Sequence, residues 1–433
     1  MAAKLVEKKY LVTFILITTL FALWGFANDI TNPMVAGFQT IMEISAAKAS
    51  LIQFAFYGGY ATMAIPAALF IRRFSYKSSI LFGLSLYAVG AFLFIPAAAQ
   101  QSFTFFCLSL YILTFGLAFL ETTANPFILS LGSRETATRR LNLAQSFNPM
   151  GSLAGMAVAS MVVLPSLMSD AHRDATGKLI FSELPEAVKA TERIHDLAVI
   201  RDAYVALGII VLIVLITITC AKTPVAVGSA PATKARESLR RLLHNAAYRE
   251  GVLAQVFYVG AQIMVWTFII HYADNLGINK ATAQTYNIIA MAMFLCFRFI
   301  ATFLMKYVNS RKLLAIFGAL AALCTIGTIC FVGMAGLICL VAISAFMSLM
   351  FPTIYGIALE NVAPEDSSLG ASFLVMAIVG GALMPPLQGS IIDMQEVFGY
   401  PAVNVSFALP LVCFVMVTLY GWRRYRRMKA GAE

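Results

Sequence analysis

Phe119-Leu120-Glu121-Thr122-Thr123-Ala124-Asn125-Pro126-Phe127 lies inside an apolar run that covers roughly residues 102–131. A helix needs about 20 apolar residues to cross a bilayer, so this run spans one and carries a carboxylate within it. An ionisable side chain in hydrocarbon costs several kcal/mol unless it faces a polar interior, which makes Glu121 a functional candidate by default. Arg140-Leu141-Asn142-Leu143-Ala144-Gln145 follows after a short loop. The first apolar segment repeats the device in Trp24-Gly25-Phe26-Ala27-Asn28-Asp29-Ile30-Thr31-Asn32-Pro33, where Asp29 stands between two asparagines. Buried carboxylates beside amides describe a polar, proton-titratable cavity suited to hydroxyl-rich solutes.

Working outward, the composition extends this reading to the whole chain. Of 433 residues, 60% are hydrophobic and only 12% charged, and the mean hydropathy is +0.82. Soluble domains carry roughly 25% charged residues, so a soluble core is excluded. Spanning segments are expected near 10–38, 46–72, 76–98, 102–131, 140–167, 198–221, 248–274, 279–305, 311–332, 335–361, 367–392 and 399–422. The predicted fold is therefore an all-α membrane protein of twelve transmembrane helices. The segments are long and continuously apolar rather than short and alternating, which excludes a β-barrel.

The net charge of +10 invites a nucleic-acid reading, but the basic residues sort by loop. Lys4, Lys8 and Lys9 precede the first helix; Arg72, Arg73 and Lys77 follow the second; Arg134 and Arg139 follow the fourth. Arg236, Arg240, Arg241 and Arg249 come after the sixth, Lys306, Arg311 and Lys312 after the eighth, and Arg423 to Lys429 close the chain. With twelve helices all of these fall on one side, which the positive-inside rule makes the cytoplasm, termini included. The longest loop of the opposite side, near 168–197, mixes both signs, and its Leu184 to Ile194 stretch suits a short amphipathic helix.

The segments divide into two groups of six, 1–221 and 248–433, joined by a polar linker at 222–247. Phe70-Ile71-Arg72-Arg73-Phe74-Ser75-Tyr76-Lys77 echoes Leu304-Met305-Lys306-Tyr307-Val308-Asn309-Ser310-Arg311-Lys312, and Pro126 matches Pro352 in the fourth helix of its half. Two parallel six-helix pseudo-repeats around a central site resemble the architecture of the major facilitator superfamily.

The polar motifs narrow the resemblance. Trp24-Gly25-Phe26-Ala27-Asn28, Gln53 through Tyr60, Leu120 through Phe127 and Arg140 through Asn148 are similar to those of the fucose:proton symporter and glucose/galactose transporter family. So are Tyr258-Val259-Gly260-Ala261-Gln262 with Trp266, and Ser344 through Ser348 with Pro352-Thr353. The resemblance runs through nearly the whole chain and implies a secondary active importer of a monosaccharide, fucose or a related hexose, by proton symport. It implies a bacterial inner membrane, a monomer, and no cofactor beyond the coupling ion. In that family the first helix carries an aspartate where this chain has Asn32; here the carboxylate is Asp29, three positions earlier. Either it has moved one turn and kept its task, or coupling rests on Glu121 alone.

Helical spacing supports the cavity independently. Asn28 and Asn32 are four apart, as are Glu121 and Asn125, while Asn142, Gln145 and Asn148 step by three; each set falls on one helix face. Amides both donate and accept, as sugar hydroxyls do. Tyr258, Gln262 and Trp266 at four-residue steps add an aromatic face for the C–H side of a sugar ring. Expected proton-coupling residues are thus Glu121 and Asp29, and expected substrate contacts are Asn28, Asn32, Asn125, Asn142, Gln145, Asn148, Gln262 and Trp266.

Plainer readings stand beside these. Membrane amides also join helices, usually for about 1 kcal/mol or less. Trp266 also reads as core packing, and Arg298 as a snorkelling cation or a buried partner for Glu121. The seven cysteines lie in apolar segments without metal-like spacing, His172, His195, His244 and His271 form no metal pair, and no hydrolase triad is assembled, so no enzyme is expected. A drug:proton antiporter of the same fold and a sodium-coupled sugar symporter are the alternatives. The partners expected are a small sugar and the lipid bilayer, not nucleic acid.

Overall fold

The computed structural model describes residues 5–44, 48, 51–169, 171–172, 180–221, 235–278, 280–394, 396–397 and 399–431; at 32–36, 39, 53, 54, 274 and 280–282 it describes the backbone alone. The chain is almost entirely helical. Its helices are α1 (Leu11–Ile41), α2 (Leu51–Arg73), α3 (Tyr76–Phe92), α4 (Phe94–Ala99), α5 (Phe103–Ser130), α6 (Ala137–Gln145), α7 (Phe147–Val158), α8 (Glu186–Cys220) and α9 (Ala235–His244). They continue with α10 (Ala246–Asn275), α11 (Lys280–Leu304), α12 (Ser310–Cys330), α13 (Met334–Met347), α14 (Met350–Glu360), α15 (Ser367–Met376), α16 (Gly380–Ile392), α17 (Ala402–Ser406) and α18 (Ala408–Lys429).

Among the described residues, eleven helical stretches are long and apolar enough to cross a membrane. With α2 they account for the twelve expected segments. Several crossings are built from two helices in tandem: α3–α4, α6–α7, α13–α14, α15–α16 and α17–α18. One small feature departs from an all-helical chain. Glu396–Val397 pairs antiparallel with Tyr400–Pro401, and Gly399 turns the hairpin at φ 78, a conformation open to glycine because it has no Cβ. Residues 222–234 of the polar linker lie outside the described residues; residues 235–244 form α9, and Asn245 leads into α10.

By Cα proximity the chain divides into two compact units. One comprises Met1–Phe14, Asn125–Ser146 and Ala226–Glu433; the other comprises Ile15–Ala124 and Phe147–Val225. Residues 125–146, from the end of α5 through α6, are thus grouped with the C-terminal helices.

In the unit built from 15–124 and 147–225, α1 and α7 touch through small residues. A Cβ on Gly151 would collide with the carbonyl of Ala22, and one on Gly25 with the carbonyl of Asn148. Glycine here lets two backbones meet, the usual solution where lipid offers no hydrophobic gain for helix association. At the far end of the same unit α8 projects beyond its apolar part. The fully buried Asp196 accepts the backbone N–H groups of Met168 at 2.8 Å and Ser169 at 2.9 Å. Glu43 meets Lys189 at 3.1 Å and Arg193 at 2.8 Å. The amphipathic helix expected at 184–194 is therefore the first turns of α8.

In the other unit, Arg140 is completely buried and acts as a hub. It donates to the carbonyl of Ile128 at 2.8 Å, of Leu129 at 2.7 Å and of Leu5 at 3.1 Å, and to Thr136 Oγ1 at 3.1 Å. A guanidinium has five N–H groups in a fixed fork, which lets one side chain satisfy the carbonyls that α5 leaves open at its end. Gly132 gives it room: its φ of 143 and a Cβ position 2.9 Å from Arg140 Nη1 admit no larger residue without rearrangement.

Candidate functional site

The residues expected from the sequence fall in both units: Asn28, Asp29, Asn32, Glu121 and Asn148 in one, and Asn125, Asn142, Gln145, Gln262 and Trp266 in the other.

In the first of these groups, Glu121 is 4% exposed, inside α5. Its charge lies within electrostatic reach of the buried Tyr60 on α2, and Asp29 stands in the same relation to Tyr57, one turn away on that helix. The rings of Tyr57 and Tyr60 both pack on Phe56, at 5.6 and 6.0 Å. Tyr57 and Tyr60 thus stand on one face of α2 within electrostatic reach of the two carboxylates, a feature that sequence reading did not anticipate although both tyrosines lie in the quoted motif. Asp29 and Asn28 are half-buried. The side chain of Asn32 lies outside the described residues. Asn148 donates to the carbonyl of Phe21 at 3.3 Å, so in this state it holds α7 to α1.

The second group is more closely knit. Gln145 Nε2 donates to Asn125 Oδ1 at 2.8 Å, and Asn142 Nδ2 donates to Thr353 Oγ1 at 3.1 Å and to the carbonyl of Thr138 at 3.0 Å. All three amides are at most 4% exposed. On α10, Trp266 Nε1 donates to Ser344 Oγ at 3.2 Å and its ring meets Phe294 edge-on at 5.0 Å. Tyr258 donates to the carbonyl of Met347 at 3.2 Å, and Gln262 lies half-buried between the two aromatics.

One expectation is corrected. Asn142, Gln145 and Asn148 were to form one stepped face of a single helix, but that helix breaks at Ser146, leaving Asn148 on α7. The cause is Pro149, which lacks an N–H and whose ring pushes away the carbonyl four residues back, that of Gln145. α13 and α14 part at Ser348–Leu349 for the same reason: four residues before Pro352 stands Ser348. Both freed carbonyls are taken by one side chain. Arg298 donates through Nη1 to the Gln145 carbonyl at 2.9 Å and through Nε to the Ser348 carbonyl, with its guanidinium 4.5 Å from the Phe294 ring centre. Arg298 is 3% exposed, so it does not snorkel. The signal was in the sequence, as two prolines each four residues past a carbonyl, but nothing local says which cation answers them.

One unit offers a buried carboxylate, and the other offers hydrogen-bonding amides beside a helix interrupted at a polar level. Among the described residues no group of three or more His, Cys, Asp or Glu is placed to hold a metal ion. A surface cleft of about 400 Å³ beside Asn275, Met394, Glu396 and Pro401 holds none of the expected residues and carries no assignment.

Comparison with known proteins agrees with this geometry. The model of the Major Facilitator Superfamily matches residues 15–385 and 251–433. The chain is 61% identical over 430 residues to the L-fucose-proton symporter of Haemophilus influenzae, covering 99% of this chain and all of that protein. It is 35% identical to the L-fucose-proton symporter of Escherichia coli, over 98% of this chain and 95% of the relative. Among solved structures, the transporter FucP in its outward conformation superimposes with a TM-score of 0.88 at 32% identity, covering 96% of this chain and 99% of that one.

Proposed function

The chain belongs to the Major Facilitator Superfamily, and from that premise we propose that it is a secondary active transporter that imports L-fucose or a closely related hexose together with a proton. The observation that carries the reading is the 61% identity, end to end, with a protein named for that activity. The buried Glu121 and the amide cluster of Asn125, Asn142 and Gln145 supply what the activity needs. It is a transporter rather than an enzyme, as its relatives are.

Transport by alternating access requires that sugar and proton share one fate. Glu121 holds the proton: neutral, it lets the sugar-loaded protein change state; charged, it holds the sugar-loaded protein back, because a carboxylate in hydrocarbon is expensive. The proton leaves on the inner side with the sugar before the empty protein returns. Asp29 takes the second coupling role. The amides and Trp266 hold the sugar. Residues 1–221 and 248–433 act as the two repeats, the basic ends face the cytoplasm, and the protein works as a monomer in the inner membrane of a bacterium. The amides Asn142, Gln145 and Asn148 argue against a drug antiporter, which needs a large apolar and aromatic cavity.

Cells expressing the protein, given a panel of labelled hexoses with and without an uncoupler, test this directly. Fucose accumulates and the uncoupler collapses the accumulation. Uptake that survives the uncoupler but needs sodium would replace the proton, and no uptake of any hexose removes the proposal.

A further inference from the structure

The face of α10 beyond Tyr258 has no role in the reading so far, yet it carries Gln255. This residue is completely buried, and among the described residues neither its amide nitrogen nor its amide oxygen meets a hydrogen-bond partner. Protein interiors keep few such groups, and each calls for an explanation. At 3.6 residues per turn, Gln255, Gln262 and Trp266 fall within about 40° of one another around the helix, so Gln255 prolongs the face on which the sugar contacts stand.

What it faces follows from the packing of α10 against the α13–α14 pair, which runs antiparallel to it. Trp266 bonds Ser344, Tyr258 bonds Met347, and Gly251 abuts Ala358. Gln255 therefore stands opposite the break after Ser348 and the first turn of α14. Ser348 is equally buried, and its hydroxyl too has no hydrogen-bond partner among the described residues. Its carbonyl is held by Arg298, whose guanidinium lies over the ring of Phe294, the ring that Trp266 also touches. A connected strip, Trp266 to Phe294 to Arg298 to Ser348, leads from the sugar-contact face to the level of Gln255.

We propose that Gln255, Ser348 and Arg298 form a second, inner subsite for the same hydroxylated solute, occupied as it passes from Gln262 and Trp266 toward the cytoplasm. The proposal rests on the sugar-transport reading. A primary amide, a hydroxyl and a guanidinium beside an aromatic ring present donors and acceptors for neighbouring sugar hydroxyls together with a surface for the C–H face. In the present arrangement the bond from Asn142 to Thr353 ties α6 to α14 over this level. When that contact opens, the unmatched amide and hydroxyl gain partners from the solute itself.

Counterflow of labelled L-fucose in oriented vesicles containing the full-length protein tests the subsite, with half-saturation measured from each side. Gln255→Leu raises the half-saturation on the cytoplasmic side about tenfold and leaves the opposite side unchanged. Ser348→Ala, which deletes one hydroxyl and keeps the carbonyl that Arg298 holds, gives a shift on the same side only and decides the matter should Gln255→Leu fail to fold. Wild-type half-saturation on both sides, or an equal shift on both, overturns the subsite while leaving sugar transport intact. Wild-type protein that exchanges no fucose at all overturns the transport reading and the subsite with it.

Discussion

The guanidinium of Arg298 and the backbone carbonyl of Gln145 lie 2.9 Å apart across 153 residues of chain. That carbonyl is open because Pro149 follows four residues later, and the second carbonyl on the same guanidinium, that of Ser348, is open because of Pro352. One buried cation thus compensates two proline breaks in different crossings.

Removing Arg298 leaves both carbonyls unmatched, at about 1–3 kcal/mol each. Arg298→Met is expected to lower the thermal midpoint in detergent clearly and to slow fucose exchange. Pro149→Ala returns an N–H that can take the Gln145 carbonyl, so Arg298→Met with Pro149→Ala should recover part of the loss. The two changes share a partner and should not add; simple additivity in a thermal-shift series argues that the bonds carry little energy.

Glu121→Gln mimics the protonated carboxyl permanently. The variant should lose uphill accumulation of fucose and keep exchange between equal pools. A Glu121→Gln protein that still concentrates sugar relegates Glu121 to a structural role.

Asp29→Asn should uncouple transport as Glu121→Gln does, whereas Asn32→Ala should mainly weaken sugar affinity. Combining Asp29→Asn with Asn32→Asp moves the charge by only about 5 Å along α1 and should restore part of the pH-dependent uptake. Normal pH dependence in Asp29→Asn alone means that the carboxylate of α1 does not carry the coupling.

Asn148 holds the carbonyl of Phe21 at 3.3 Å and is also an expected sugar contact. Asn148→Ala should weaken fucose binding by about 1–3 kcal/mol if both roles hold, because sugar hydroxyls are left unmatched. Calorimetric titration beside a thermal melt separates them: a lower melting point with an unchanged dissociation constant makes Asn148 a tie between α1 and α7 and nothing more.

Much of this molecule was legible in its sequence. Apolar runs of 20 residues or more mark membrane crossings irrespective of tertiary detail, so all twelve segments could be placed. Glu121 was legible for the same reason, since a carboxylate in such a run has few excuses. The use of each amide was harder to read. Asn142 and Gln145 meet Thr353 and Asn125 through contacts that span 211 and 20 residues, and no helical periodicity encodes these. Spacing by three promised one face for Asn142, Gln145 and Asn148, but a proline outranks periodicity because it removes the hydrogen bond on which a continuous helix depends. Gln255 gave no signal at all: one glutamine in an apolar helix resembles any other until its neighbours are known.

The hub at Arg140 has a consequence for how the chain is made. The carbonyl of Leu5 emerges from the ribosome 135 residues before the side chain that will hold it. At about 5–20 residues per second, the N-terminal tail waits roughly 7–27 s for its anchor while four crossings are already threading into the bilayer. During that interval Leu5 has no guanidinium to hold its carbonyl, and it is anchored when Arg140 arrives. A chain stalled on the ribosome just before codon 140 should therefore be cleaved more readily at Leu5 than one stalled well past it.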